Sequence, residues 1–137
     1  GVQCLGYVPH GELISRLSES HELLCLLDDV PGAERIYPAK IFELMNLRRP
    51  ILTLAPEGAL TRLVRRHELG AILPPRDEVA IARYLAQRID AFRAGKPSAT
   101  AAPDPARLGQ YHRRAIAEHF VEALRLAVDR ARLNHEG

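Results

Sequence analysis

The stretch ELLCLLDDVPGAERIYPAKIFELMNLRRPILTLA, Glu22 to Ala55, decides how the chain reads. It opens on a nearly continuous apolar run, Glu22 to Leu27, stopped by Asp28-Asp29 and Pro31-Gly32. It closes on a second run, Ile51 to Ala55. Between them Ile41, Phe42, Leu44, Met45 and Leu47 supply the apolar face of a helix from about Pro38 to Leu47. Short apolar runs bounded by turn signals fit strands covered on both faces, as in a parallel sheet. Strand, helix and strand in that order predict one parallel crossover unit.

The same alternation extends outward. Val2 to Leu5 reads as the end of a further buried strand, closed by Gly6, then a loop Tyr7–His10 and a helix from Gly11 to about Ser20. After Ala55, Leu60–His67 reads as a helix and Gly70–Leu73 as a short strand. Asp77 is placed to cap a helix carrying Val79, Ile81, Leu85, Ile89 and Phe92. Four strands alternating with helices predict an α/β fold, a doubly wound parallel sheet of Rossmann-like type. Nucleotide-binding sheets of this kind usually have roughly five or six strands. The sheet is therefore expected to be truncated at its N-terminal side, with the missing elements upstream. The chain begins without methionine, as an excised piece of a longer protein would.

Ala94–Ala106, AGKPSATAAPDPA, lacks apolar periodicity and reads as an exposed linker. A long amphipathic helix follows from about Leu108 to Leu133, striped by Ile116, Phe120, Leu124 and Val128. The expected organisation is a partial α/β domain over 1–93, a linker over 94–106, and over 107–137 a C-terminal helix that packs on the domain or on a missing neighbour.

Bulk properties narrow the classes. A chain of 137 residues, 47% hydrophobic and 26% charged, suits one soluble core. Apolar runs are far too short for a membrane span, and no signal peptide is visible at GVQCLGYV. Cys4 and Cys25 lie in apolar stretches without CxxC spacing, which predicts two buried thiols in a reducing, cytoplasmic compartment. The six histidines form no HxxxH or HExxH pair, so no metal site is expected. The net charge of +2 does not argue for nucleic acid. It is unevenly spread, however: Arg48, Arg49, Arg62, Arg65 and Arg66 face only Glu57 between Arg48 and His67. That row reads either as a solvated helix face or as a seat for phosphate or lipid headgroups, which would place the protein peripherally at the inner face of a membrane.

Lys40 and Glu43 stand out inside the opening stretch. A lysine in the first turn opposes the helix dipole, and helical ion pairs prefer the glutamate first. The pair therefore does little for the helix. In open α/β sheets ligands lie beyond the carboxyl ends of the strands, where the loops Tyr7–His10, Asp28–Tyr37 and Pro56–Gly58 belong. The N–H groups of Ala39, Lys40 and Ile41 at a helix start, with the Lys40 ammonium, make a phosphate seat. Glu43, one turn in, is placed to accept two hydrogen bonds from a vicinal diol. A diphosphate joined to a ribose needs both. A plain surface ion pair is the competing reading.

GYVPHGEL, ELLCLL, YPAKIFELMNLRRPILTL, EGALTRLV and LGAILPPRDEVAIARYL together resemble the sugar-nucleotide-binding C-terminal half of group 1 glycosyltransferases of the GT-B fold. The likeness spans roughly Val2 to Leu85 and is most specific in P-x-K-x-x-E followed by R-P-I-L. It implies that Glu43 holds the donor ribose and that the backbone of Ala39, Lys40 and Ile41 lies near the diphosphate. Tyr7 to His10 would line the base, and the loop Pro56-Glu57-Gly58, with Gly58, would face the donor cleft. Where the family has a further glutamate toward the donor hexose, this chain has Arg35, with Glu34 beside it as the only acidic substitute. The cations that neutralise the leaving diphosphate, and the N-terminal acceptor domain, are not in this chain. The implied protein moves a sugar from a UDP- or GDP-sugar to an acceptor hydroxyl with retention, without metal or cofactor. The acceptor is open between lipid-linked sugars, polysaccharides and small molecules, and this part is expected to be inactive alone. No catalytic residue is assigned. A flavodoxin-like regulatory domain acting through Asp28-Asp29 is the non-enzymatic alternative.

Overall fold

The computed structural model describes residues 1–96 and 104–133. Within the opening stretch, Leu23–Leu26 is strand β1, Lys40–Asn46 helix α2 and Ile51–Leu54 strand β2. The helix before β1, α1, spans His10–Ser18. β1 and β2 pair in parallel, with Leu23 opposite Ile51 and Leu26 opposite Leu54. Helix α3, Ala59–Arg66, leads from β2 to β3, Ile72–Leu73, which pairs in parallel with Thr53 and Leu54. The sheet order is β1-β2-β3. Gly70 makes the entry to β3 possible: its φ is +149°, and a Cβ there would lie 2.2 Å from the Ile51 carbonyl oxygen.

β2 is the middle strand and is buried at all four positions. Around it lie Ile41, Leu44 and Met45 of α2 and Leu60, Leu63 and Val64 of α3, all buried. Each such aliphatic side chain contributes about 1.5–3 kcal/mol when fully buried. This is the core that fixes where α2 and α3 begin.

β1 departs from the expectation of a strand covered on both faces. Leu23 and Cys25 are buried, but Leu24 and Leu26 are 56% and 50% exposed. Alternate residues of a strand point to opposite faces, and only one face of β1 is covered. Val2–Leu5 is not a strand at all. Val2 and Leu5 are 97% and 54% exposed, and the segment has no strand partner among the described residues. A short run without a neighbour for its N–H and C=O groups gains nothing by extending. Among the described residues the sheet therefore has three strands where the sequence predicts four.

Helix α4, Glu78–Arg93, starts as its sequence asks, with the Asp77 carboxylate accepting from the Ala80 N–H at 2.9 Å. Glu22, just before β1, ties α4 down. Its carboxylate accepts from the Tyr84 hydroxyl and, at 3.0 Å, from Arg88 Nε. Burial, and then the Glu22 carboxylate, push the Tyr84 hydroxyl above its ordinary range. α4 ends in a Schellman motif: Gly95, at φ +66°, bonds Phe92, and Lys96 bonds the Ala91 carbonyl. Ala94–Lys96 thus finish a helix instead of starting a linker, and Asp104 accepts from the Ala106 N–H as α5, Pro105–Leu108, begins. Residues 97–103 of the predicted linker lie outside the described residues.

The chain divides into two compact units, Gly1–Pro103 and Asp104–Gly137. In the second, α5 and a 3-10 turn, Gly109–Tyr111, precede α6, Arg113–Leu133. The single helix predicted from Leu108 is interrupted because His112 is extended, with φ −66° and ψ 139°. Among the described residues no helix is long and apolar enough to cross a membrane.

Candidate functional site

Parallel strands put the loops after β1 and β2 at one end of the sheet. The loop after β1 enters a 3-10 turn, Ala33–Arg35, and then α2. The loop after β2, Pro56-Glu57-Gly58, enters α3.

α2 answers the question raised by Lys40 and Glu43. Its apolar residues Ile41, Leu44 and Met45 face the core, which leaves Lys40 and Glu43 exposed on the first turn. They form no ion pair with each other, and neither side chain has a hydrogen-bond or ion-pair partner among the described residues. Lys40 still makes itself felt at the strand end. Its charge opposes the rise that burial imposes on the Cys25 thiol, the burial being the larger effect.

The amides at the helix start differ from the expectation in one respect. Ile41 N–H donates to the Pro38 carbonyl at 3.0 Å, and the Ile41 side chain is fully buried. The N–H groups of Ala39 and Lys40 have no backbone acceptor among the described residues. Two amides remain beside the Lys40 ammonium where three were expected, because the tight turn at Pro38 consumes the Ile41 N–H.

Glu34 and Gly58 are brought together by the backbone. A Cβ on Gly58 would lie 2.4 Å from the Glu34 carbonyl oxygen and 2.5 Å from its Cα. The 3-10 turn thus rests on the start of α3, and Ala33 is buried beneath it. The Glu34 carboxylate is half-exposed and pairs with its neighbour Arg35 at 3.2 Å, so the two charges largely cancel locally.

A network missed in the sequence holds the second loop. The Thr61 hydroxyl accepts from Gly58 N–H and donates to the Glu57 carboxylate, each at 2.9 Å. Arg65 grips the same carboxylate with two bonds, 2.6 and 2.8 Å long. Hydrogen bonds from Arg65, and then from Thr61, hold the Glu57 carboxyl at about 2. The spacing Glu57, Thr61, Arg65 places all three on one row of a helix and its lead-in, which is the signal the sequence did carry.

Tyr7 is 94% exposed and lies outside any element, while His10 opens α1 and is exposed. Neither side chain has a hydrogen bond among the described residues. Asp28 and Asp29 are exposed, and Asp29 N–H donates to the Asp28 carboxylate at 2.9 Å. Among the described residues no group of three or more His, Cys, Asp or Glu could hold a metal ion.

Chemically, the end of the sheet offers an ammonium and two amides for an anion, and a carboxylate one turn on for hydroxyl donors, none of them partnered among the described residues. Compared with protein families, with curated proteins and with solved structures, the chain matches none.

Proposed function

We propose that this chain is the donor-binding part of a retaining glycosyltransferase, which moves a sugar from a nucleotide-diphosphate sugar to an acceptor hydroxyl. The reading rests on one observation: Lys40 and Glu43 are exposed on the first turn of α2, at the carboxyl end of a parallel sheet, and have no side-chain partner among the described residues. An ammonium beside free amides suits a diphosphate, and a free carboxylate suits the ribose diol. In this reading the three strands are part of a larger doubly wound, Rossmann-like sheet. Stabilisation of the departing diphosphate is electrostatic, with Lys40 and the amides of Ala39 and Lys40 contributing and upstream cations completing it. Glu34 and Gly58 shape the wall of the cleft, and Tyr7 and His10 lie toward the base. The part is inactive without its acceptor domain.

Saturation-transfer NMR of the chain with UDP, GDP and ADP tests this. The expected result is saturation at the ribose protons of one nucleotide, with affinity lowered roughly 10- to 100-fold in Glu43→Ala, the range for hydrogen bonds to a charged group. A signal that survives Glu43→Ala intact places the site elsewhere. No saturation from any of the three removes the donor reading for this chain.

A further inference from the structure

The helices of the α/β unit are not all held in the same way. α2 buries Ile41, Leu44 and Met45, and α3 buries Ala59, Leu60, Thr61, Leu63 and Val64. α4 is longer than either and buries no residue. The side it turns inward, Ile81, Tyr84, Arg88 and Ala91, stays partly open to solvent, and Val79, Leu85, Ile89 and Phe92 are exposed.

What fastens α4 is polar and local. Among the described residues its side chains have three ties to the rest of the unit, and all reach His21-Glu22, just before β1. The Tyr84 hydroxyl and Arg88 Nε donate to the Glu22 carboxylate, and the Phe92 ring meets His21 edge-on with centroids 4.3 Å apart. Tyr84, Arg88 and Phe92 recur every four residues, so they form one row on the helix. The Glu22 and Arg88 side chains are largely shielded from water, which makes this pair worth more than a surface ion pair. α4 begins in the loop after β3, at the carboxyl end of the sheet, whereas its ties lie at the amino end of β1. It is a strap that runs from one end of the sheet to the other.

An element that buries no residue gives up little apolar contact when it leaves. The core around β2 is built from α2 and α3 and does not include α4. We propose that α4 opens by itself while that core stays folded, and that the Glu22 carboxylate is the clasp that holds it shut. A helix of 16 residues is marginal alone in water, so α4 melts once it is released. Opening bares the start of β1 and frees the loop 74–77 at the carboxyl end of the sheet. The inference does not depend on the donor reading.

Amide hydrogen exchange of the whole chain, followed residue by residue by NMR, is the test. The amides of α4 should exchange together, faster than those of β2 but slower than those of an unstructured peptide. Tyr84→Phe keeps the ring and removes one hydrogen bond to a charged group, which should speed α4 roughly tenfold or more. Glu22→Ala removes both bonds and should speed it further. Ile51→Val trims the core that the open and closed forms share. It should speed β2 roughly two- to tenfold and leave α4 unchanged. Exchange of α4 as slow as that of β2, no protection of α4 at all, acceleration of α4 by Ile51→Val as large as that of β2, or α4 unmoved by Glu22→Ala would each overturn the proposal.

Discussion

Gly58 lies against the backbone of Glu34 so closely that no side chain fits between them: a Cβ would stand 2.4 Å from the Glu34 carbonyl oxygen. The contact joins the loop after β1 to the start of α3. Gly58→Ala must push the two backbones apart, and overpacking of this kind destabilises by about 1–3 kcal/mol. Urea unfolding should show a lower midpoint with an unchanged slope. A midpoint equal to that of the parent would mean that the 3-10 turn yields freely.

Thr53 is fully buried in the middle strand, and its hydroxyl has no partner among the described residues. An unsatisfied buried hydroxyl costs about 1–3 kcal/mol. Thr53→Val keeps the shape and removes the hydroxyl, so stability should rise by about 1 kcal/mol. Destabilisation in the same unfolding measurement would show that the hydroxyl is in fact bonded.

The two cysteines should differ sharply in reactivity. Cys4 is exposed, contrary to the expectation of two buried thiols, whereas Cys25 is fully buried and its thiol is pushed up by burial. Only the thiolate reacts. A chromogenic disulfide reagent near about pH 8 should titrate one thiol in the native chain and the second only in denaturant. Two fast equivalents under native conditions would contradict the buried strand.

Glu57 sets a pH signature. Its carboxyl, ordinarily near 4.5, is held at about 2 in the fold. A depressed folded value means that the contribution is complete above about 4.5 and disappears as pH falls toward about 2. The group is exposed, so the effect is small and screened by salt. Unfolding midpoints of the parent and Glu57→Gln should converge across that window and stay separated by a constant amount above it. Parallel curves down to about pH 2 would show that Arg65 does not hold the carboxylate in solution.

Local patterns carried much of this protein. The apolar runs at Leu23 and Ile51, the helix between them and the Asp77 cap depend on residues within one or two turns, and all formed as the sequence asks. So did the separation of Lys40 and Glu43 from the buried face of α2, because helical periodicity alone assigns those sides. What needed the tertiary structure was everything that depends on a neighbour. Among the described residues Val2–Leu5, with the composition of a strand, finds no strand partner, and Leu24 and Leu26 stay exposed. The approach of Gly58 to Glu34 and the tie from Glu22 to Tyr84 and Arg88 join residues distant in sequence and on separate elements. Hydrogen bonding and burial are satisfied only between groups that the fold brings together, and the sequence names those groups without saying which will meet.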